Sequence, residues 1–382
     1  MNSRRKFLAL SGVAISPSCF SFCDCVDLVK DFGADPNGLI DATLNIKEFL
    51  MFCVARGVEG YIPSGNYNVR TGVIELNCHF RESFLPEIRT GSKVNFNVHA
   101  IADDTSVFSI TNGVADSHIA KTWKGGRFAK INYKIISAGN FTNISVFRLS
   151  GVVGCHFGII SCVGFTGGAV HVPRKLFLNS NPDPYNVAFC VFDGLDCNEC
   201  GYAVFNDNFL GLVGCEFKFI RAINCNGGIL GFGSSNSVMT ASFGNINGWA
   251  FHDGTDVNMP TSPPLRFRVY NAELDSVKYG FYLNRIIFFS IEQIRFVHRL
   301  NNKEYWPRVA LKLAAGERPN LNFGQFQAIH RIECGGVPDQ LGQLVEIGDC
   351  AKVNSSQFIH KVQGCFSIDD FPKNNLCHNL FY

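Results

Sequence analysis

Charged residues are scarce in this sequence, and neither sign dominates. They make up 17% of the 382 residues, and the formal net charge at pH 7 is +2. The basic residues are scattered, so the chain lacks the Lys/Arg-rich run from which nucleic acids or an anionic membrane surface draw affinity. We therefore expect neither of these as a partner.

The sequence also lacks the cysteine and histidine spacing of a zinc site. Cys197 and Cys200 form a CxxC pair, but no second pair or suitably spaced histidine accompanies them. Many of the 16 cysteines recur instead at equivalent positions of a repeat, where cysteine serves as a small buried hydrophobe. We therefore expect stacked free thiols rather than a disulfide framework, and no motif demands a cofactor.

The N-terminal apolar stretch, residues 8–15, is too short to span a bilayer. It follows the segment Ser-Arg-Arg-Lys-Phe-Leu at residues 3–8, and the whole resembles a twin-arginine export signal. The resemblance implies a signal peptide over residues 1–25, cleaved between Ser16 and Cys25. It further implies passage of a folded protein through the twin-arginine machinery and a periplasmic or secreted bacterial location. A basic N-terminus ahead of a chance apolar run is the alternative.

Phenylalanine and glycine are abundant by contrast. The 36 Phe and 37 Gly residues predict a long interior lined by aromatic rings and many tight turns. Beyond residue 71, short apolar runs alternate with glycine or asparagine turns, and no helical periodicity appears. The sequence therefore predicts an all-β protein after an N-terminal segment.

The N-terminal segment, residues 26–71, contains the predicted helix. Asp41 or Thr43 can cap this helix and Gly57 can end it. Two short strands should follow it around a Pro-Ser-Gly turn within residues 60–69. The predicted apolar face of the helix includes Leu44, Phe49, Leu50 and Cys53.

Residues 27–70 carry a family resemblance. The elements Asp-Phe-Gly-Ala at residues 31–34, Asn37-Gly38, Asp-x-Thr at residues 41–43 and Ile-Pro-x-Gly-x-Tyr at residues 62–67 resemble the N-terminal cap of the pectate-lyase-like superfamily. That superfamily includes rhamnogalacturonases, polygalacturonases, epimerase-like proteins and phage tailspikes, and Asn37-Gly38 stands where it has Asp-Gly. The resemblance implies a right-handed single-stranded parallel β-helix with a short N-terminal capping helix. It implies little about chemistry, because enzymes and binding proteins share the cap.

Internal repeats predict where the coils lie. Segments 153–160 and 213–220 share their apolar spacing, and a Phe-x-x-Ile/Leu element recurs at Phe157, Phe192, Phe217 and Phe243. Small residues precede these phenylalanines by two positions, namely Cys155, Cys190, Cys215 and Ala241. A second ladder is marked by Gly167, Gly201, Gly227, Gly248 and Gly280. The variable spacing favours a β-helix over residues 72–360, with residues 361–382 as a C-terminal tail or cap.

The second ladder also predicts a polar column. Equivalent residues on successive coils of a parallel β-helix lie about 4.8 Å apart, so an outward column can hold a polysaccharide. The residues five places after each glycine, with their neighbours, form the best polar cluster of the sequence: Val172, Asn206, Phe232, Asp253 and Arg285, flanked by Asp207, Ser234, His252 and Asn284.

Two carboxylates of this cluster suggest catalysis. Asp207 and Asp253 lie two coils apart in the predicted register, roughly 10 Å, near the upper limit for inverting glycoside hydrolysis. We predict Asp253 as the general acid and Asp207 as the base that activates water. Arg285 is assigned to catalysis with them, as the group that stabilises a uronate carboxylate. The residues predicted to bind substrate are Asn206, His252, Lys278 and Asn284.

A lyase would use the same column differently. Asp253 and Asp256 would hold Ca²⁺ against a uronate, and Arg285 or Lys278 would remove the proton next to the carboxylate. A structural alternative is that Asn206, Asp207, Asp253 and Asp256 serve only as turn residues. Calcium is therefore expected as a cofactor only if the protein is a lyase.

The sequence leaves three functions open. The first is an exported enzyme, a glycoside hydrolase or lyase, that acts on an acidic or decorated polysaccharide. The second is a non-catalytic β-helix that binds polysaccharide or a cell surface, and the absence of the polygalacturonase elements as a set, Gly-His-Gly above all, favours it. The third is a tailspike-like adhesin, which would require trimerisation, although the sequence offers neither a coiled coil nor a fibre repeat.

Overall fold

The computed structural model describes residues 25–77, 82–111, 122–137, 139–173, 187–207, 211–233, 235–253, 265–283, 286–298, 309–313, 321–332, 345–347, 352–353 and 357–363. Residues 1–24 of the expected signal peptide and residues 364–382 of the expected tail lie outside these ranges. Both expectations therefore stay predictions.

The described residues form one α-helix and many short strands. Helix α1 is Thr43–Arg56. The strands are β1 (Val26–Asp27), β2 (Asn37–Asp41), β3 (Gly60–Ile62), β4 (Gly65–Arg70), β5 (Ile74–Asn77), β6 (Glu82–Phe84), β7 (Glu87–Thr90), β8 (Val94–His99), β9 (Ser106–Thr111), β10 (Thr122–Lys124), β11 (Arg127–Phe128), β12 (Ile131–Ser137), β13 (Ser145–Leu149), β14 (Val152–Val153), β15 (His156–Val163), β16 (Gly168–Val172), β17 (Val187–Ala188), β18 (Val191–Asn198), β19 (Val204–Asn206), β20 (Leu212–Val213), β21 (Glu216–Ile223), β22 (Ile229–Leu230), β23 (Asn236–His252), β24 (Leu265–Val269), β25 (Ala272–Leu283), β26 (Ile286–His298), β27 (Val309–Leu313), β28 (Leu321–Ile332), β29 (Val345–Ile347), β30 (Lys352–Val353) and β31 (Gln357–Gln363).

Helix α1 forms where the sequence predicts a helix and ends at the predicted Gly57, with two corrections. The N-cap position is Ala42, so neither Asp41 nor Thr43 is the N-cap residue. Asp41 accepts a hydrogen bond from the backbone N–H of Thr43 at 3.0 Å, and Gly57 ends the helix in the left-handed conformation at φ +64°. Leu44 is 60% exposed, so it does not belong to the buried face. Ile46 is buried instead, because it precedes Phe49 by three residues and Leu50 by four, which places all three on one face of the helix.

The chain winds into a right-handed parallel β-helix, as predicted. Strands β14, β15 and β16 form one coil, β17, β18 and β19 the next, and each strand pairs in parallel with its equivalent one coil later. Three sheets result. The short sheet consists of β6, β10, β14, β17 and β20; the long sheet runs through β15, β18, β21 and the first part of β23; the third sheet contains β5, β9, β13, β16, β19 and β22. Beyond β22 the third sheet continues through the last residues of β23 and β25 into β27 and β29.

Stacked aromatic rings fill the interior under the long sheet. The rings of Phe157, Phe192 and Phe217 lie parallel with 4.9 Å between successive centroids, and all three are at most 2% exposed. This spacing is the distance between neighbouring strands, so identical residues in register stack directly. The predicted phenylalanine column is therefore core at these three positions.

Phe243 does not continue that column. Val238 pairs with Phe217, whereas Phe243 pairs with Ala222. Asn236, not the predicted Ala241, follows Cys215, and its side-chain oxygen accepts a hydrogen bond from the Cys215 N–H at 2.6 Å. The error arose because β23 carries valine at the equivalent position and its own phenylalanine five residues later, which imitates the repeat spacing.

The described cysteines confirm the prediction of free thiols. None of the nine forms a disulfide, and eight are buried. Cys162 lies opposite Cys197 on the next coil, with 3.4 Å between the sulfur atoms, and Cys200 lies 3.7 Å from Cys162. Burial raises the pKa of the Cys53 thiol to about 12, which keeps it protonated and unreactive.

Candidate functional site

One outward column of the third sheet collects the polar and aromatic side chains of interest. Pairing along the sheet aligns Glu75, Ser109, Arg148, His171, Phe205, Leu230, His252, Tyr282, Lys312 and Glu346. A second, parallel column three residues earlier on the strands contains Tyr202, Gly227, Trp249, Tyr279 and Val309.

Six rings of these two columns form what we call the aromatic face: Tyr202, Phe205, Trp249, His252, Tyr279 and Tyr282. All six are partly exposed. His252 stacks flat on Tyr282 with 4.3 Å between centroids, and Trp249 lies 4.9 Å from Tyr279. Their hydroxyl, indole and imidazole groups place hydrogen-bonding atoms on an apolar surface, which suits a ligand with both C–H and O–H groups.

Gly227 permits this arrangement on the coil between the two groups of rings. A Cβ atom at Gly227 would lie 2.5 Å from the ring of Tyr202 and 3.1 Å from the carbonyl oxygen of Trp249. The Tyr202 ring therefore covers this glycine and stacks within 5.5 Å of Phe205. Any larger residue at position 227 would displace the ring.

At one end of the aromatic face, the buried side chain of His171 lies next to the exposed carboxylate of Asp207. His171 is 2% exposed, and its ring stacks on Phe205 at 4.9 Å. Its Nε2 atom lies 3.7 Å from Oδ2 of Asp207, whose side chain is 42% exposed. Among the residues that the structure describes, this Nε2 has no hydrogen-bond partner. An approach of roughly 0.8 Å would form one, since N–H···O bonds are near 2.9 Å.

The structure does not bring Asp207 and Asp253 to a shared face. Asp253 follows His252, which pairs with Leu230, so Asp253 aligns with Gly231 and, one coil earlier, with Asn206. Asp253 is 3% exposed and Asn206 4%, and both side chains point inward. The predicted column of Val172, Asn206 and Asp253 is in register, but it faces the interior. Asp207 is the next residue after Asn206, so its side chain points to the opposite side.

Asn206 has a structural partner in this position. Its side-chain nitrogen donates to the carbonyl oxygen of Gly231 at 3.0 Å, which ties two successive coils together. The structure therefore places Asn206 away from any substrate on the outer surface, and the same holds for the carboxylate of Asp253.

His252 and Lys278, two of the residues predicted to bind substrate, are both partly exposed, and their roles stay predictions. Burial lowers the pKa of His252, although the neighbouring Asp253 opposes this effect, so the imidazole is neutral at pH 7. Lys278 is partly buried, on the strand that carries Tyr279. Arg285, Asn284 and Asp256 lie outside the described residues, so their assigned roles stay predictions.

The described ranges contain no group of three or more His, Cys, Asp or Glu residues arranged to hold a metal ion. They also contain no helix with the length and apolar character needed to cross a bilayer.

Sequence reasoning missed His171 and most of the aromatic face. A usable signal was present, because an aromatic-x-x-aromatic spacing recurs as Tyr202/Phe205, Trp249/His252 and Tyr279/Tyr282 on three coils. The intervening coil has Gly227 and Leu230 at these positions, which interrupts the pattern. His171 carried no such signal, since only the fold places it beside Asp207.

Comparison with known proteins shows distant likenesses. No protein-family model matches the sequence, and no curated protein matches it. Among solved structures, a 1,3-α-1,4-β-D-galactose-4-sulfate-3,6-anhydro-D-galactose-2-sulfate 4 galactohydrolase is 11% identical, with a TM-score of 0.45, and the match covers 95% of each chain. The Dettilon tailspike protein is 10% identical, with a TM-score of 0.44 and coverage of 87% of this chain and 70% of that one. An iota-carrageenase complexed with iota-carrageenan fragments is 13% identical, with a TM-score of 0.35 and coverage of 95% and 62%. These values are too low to transfer an activity.

Proposed function

We propose that this protein is an exported enzyme that binds a polysaccharide along its aromatic face and cleaves it with Asp207 as the catalytic carboxylate. The observation that carries the proposal is the cluster of six partly exposed rings on one outward face of the β-helix. A group of apolar rings on one face, with hydrogen-bonding atoms among them, is the kind of surface that marks a ligand-binding site. Export through the twin-arginine machinery, and with it a periplasmic or secreted location, is proposed from the N-terminal motif alone.

The geometry suits an extended ligand. Tyr202 and Phe205 lie two coils from Trp249 and His252, a distance of about 9.6 Å along the helix axis. A chain of sugar residues lying along the axis would contact both groups of rings at once. Contacts at two places on one rigid scaffold favour a polymer over a monosaccharide, because the second contact forms at high effective concentration.

Asp207 is the group that we assign to chemistry. Its backbone N–H donates to the carbonyl oxygen of Val172 at 2.9 Å, which fixes the residue at the end of β19, while its side chain reaches solvent. In glycoside cleavage such a carboxylate can accept a proton from the attacking water while the glycosidic C–O bond breaks, and the leaving sugar oxygen takes a proton from solvent water. His171 acts through Asp207 and not on the substrate, because it is buried; its Nε2 holds the carboxylate in place once the two approach.

The test uses purified mature protein and a panel of uronate-containing, sulfated and neutral polysaccharides, with and without Ca²⁺. New reducing ends without absorbance from unsaturated products indicate hydrolysis, and absorbance that requires Ca²⁺ indicates a lyase. We expect Asp207→Asn to abolish product formation while leaving binding intact. Product formation by the Asp207→Asn variant at the wild-type rate would remove Asp207 from the mechanism.

A non-catalytic binding protein is the second candidate. The inward orientation of Asp253 favours it, because the predicted pair of carboxylates does not face one ligand. On this alternative the wild-type protein binds a polysaccharide of the panel and releases no product from any of them.

A further inference from the structure

Phe189 has a backbone conformation that phenylalanine residues rarely adopt. It lies in the turn between β17 and β18 with φ +54°, in the left-handed region. The equivalent turns on three other coils contain glycine, at Gly125, Gly154 and Gly214, with φ between +61° and +66°. Backbone hydrogen bonds join these turns in one ladder, since the N–H groups of Gly125, Gly154 and Phe189 each donate to the strand of the next coil. Only glycine adopts this conformation without strain.

Phe189 differs from the other non-glycine residues that share this conformation. In the described part of the chain these are Asp104, Asn143, Glu199, Asn224, Ser235, Asn245, Ser276 and Gln293. All are polar, and several form hydrogen bonds with the equivalent side chain of a neighbouring coil, as Asn245 does with Asn224 at 3.0 Å. Short polar side chains stabilise left-handed turns in this way, and a phenylalanine does not.

Packing does not explain the phenylalanine either. Its ring is 65% exposed, in contrast to the buried Phe192 three residues later. It reaches over Gly214, where a Cβ atom would lie 2.8 Å from the ring. On the other side, Gly154 has no atom within 4 Å of where its Cβ would lie. The ring therefore lies against Gly214, while the side toward Gly154 is open to a ligand.

The surface next to Phe189 is polar. On the following strand Asp193 accepts contacts at 2.8 Å from both His156 and Lys218, which come from the coils before and after it. Burial alone would raise the pKa of Asp193, but the hydrogen bonds from Lys218 and His156 lower it, so the carboxylate is ionised. These contacts hold two donors and an acceptor in fixed positions on the strand that follows Phe189.

We propose that Phe189 is a second sugar-binding position, on the turn between the short and long sheets, which stacks on a pyranose ring. The inference rests on the proposed polysaccharide binding and adds a position away from the aromatic face. A pyranose offers a C–H face of about the size of one phenyl ring. The polar groups around Asp193 lie about 13 Å further along the strand, so they would meet another sugar residue of the same chain. A protein partner would need a wider apolar patch, and the outward neighbour Ala188 is only 8% exposed.

The decisive variant is Phe189→Gly, because it separates binding from stability. If the ring serves a ligand, the variant binds polysaccharide roughly five- to tenfold more weakly and unfolds at the same or a higher denaturant concentration, since glycine relieves the turn. If the ring is retained for packing instead, Phe189→Gly should unfold at a lower denaturant concentration than the wild type. Phe189→Tyr keeps the ring and should keep the affinity.

Two further variants make the outcome unambiguous. Phe219→Ala removes a partly exposed phenylalanine from the outer surface of the long sheet, where φ is ordinary, and should leave binding unchanged. Trp249→Ala tests the aromatic face separately. Wild-type affinity in Phe189→Gly with weakened binding in Trp249→Ala would overturn the Phe189 proposal and leave the proposed function standing. Weakened binding in Phe189→Gly alone would support Phe189 and contradict the aromatic face, and a wild-type protein that binds no polysaccharide would overturn both.

Discussion

Truncation of one ring in the stacked core tests the register of the coils. Phe192 is 0% exposed and lies between Phe157 and Phe217, with 4.9 Å to each ring and interplanar angles of 7° and 9°. Replacing a buried phenylalanine with alanine costs about 3–5 kcal/mol. Because two parallel aromatic contacts are lost together, each worth about 0.5–1.5 kcal/mol, we expect Phe192→Ala to lie in the upper half of that range.

The assay is urea unfolding followed by circular dichroism, with the midpoint and the slope compared between variants. The matched control is Phe219→Ala, because Phe219 belongs to the neighbouring strand β21 but is 36% exposed on its outer surface. We expect the control to cost about 1 kcal/mol or less. Equal losses in the two variants would refute the register that stacks Phe192 between its neighbours.

Three further predictions follow from the fold and the site. Gly201→Ala should destabilise severely, because its Cβ would lie 1.9 Å from the carbonyl oxygen of Thr166, whereas Gly244→Ala, with 3.7 Å to its nearest atom, should shift the unfolding midpoint little. Alkylation with mass-spectrometric mapping should leave Cys162 and Cys197 unmodified in the native protein and modify both after denaturation; modification of the native thiols at the denatured rate would contradict their burial. The pKa of His252 is lowered in the folded protein, so its contribution to stability is present above about pH 6.5 and is lost as the pH falls. His252→Gln should therefore lose less stability than the wild type between pH 7.5 and 5.5 in urea titrations, and an identical loss would argue against a lowered pKa of His252 in the folded protein.

The fold was predictable because its signals are local or repeat along the chain. Asp41, Thr43 and Gly57 mark the ends of the capping helix with side-chain and backbone chemistry that needs no tertiary context. Stacking stabilises identical rings on successive coils, and it is visible in the sequence as the recurrence of Phe157, Phe192 and Phe217 in register. Phe243 shows the limit of this reasoning, since a valine fills the equivalent position and the next phenylalanine belongs to another column.

The site was predictable only in part. Asp207 and His252 were found because polar residues after a glycine ladder are visible in the sequence, and the structure places both at the outer surface. The inward position of Asp253 was missed because the glycine ladder aligns Asp253 with Asn206 correctly but does not show which face this column takes. Alternation along the strand then places Asp207, the residue after Asn206, on the other face. The contact between His171 and Asp207 depends on parallel pairing across 36 residues of sequence, which no local pattern encodes.

The central claim is that the aromatic face binds a polysaccharide, and the most direct test is an affinity measurement with that face altered. The double variant Trp249→Ala/Tyr282→Ala removes two partly exposed rings that lie 5.2 Å apart, and circular dichroism checks that the β-helix remains folded. Against a polysaccharide that the wild-type protein binds, we expect an affinity loss of roughly tenfold or more, since two aromatic contacts of about 0.5–1.5 kcal/mol each are removed. Unchanged affinity in the folded double variant would contradict the account.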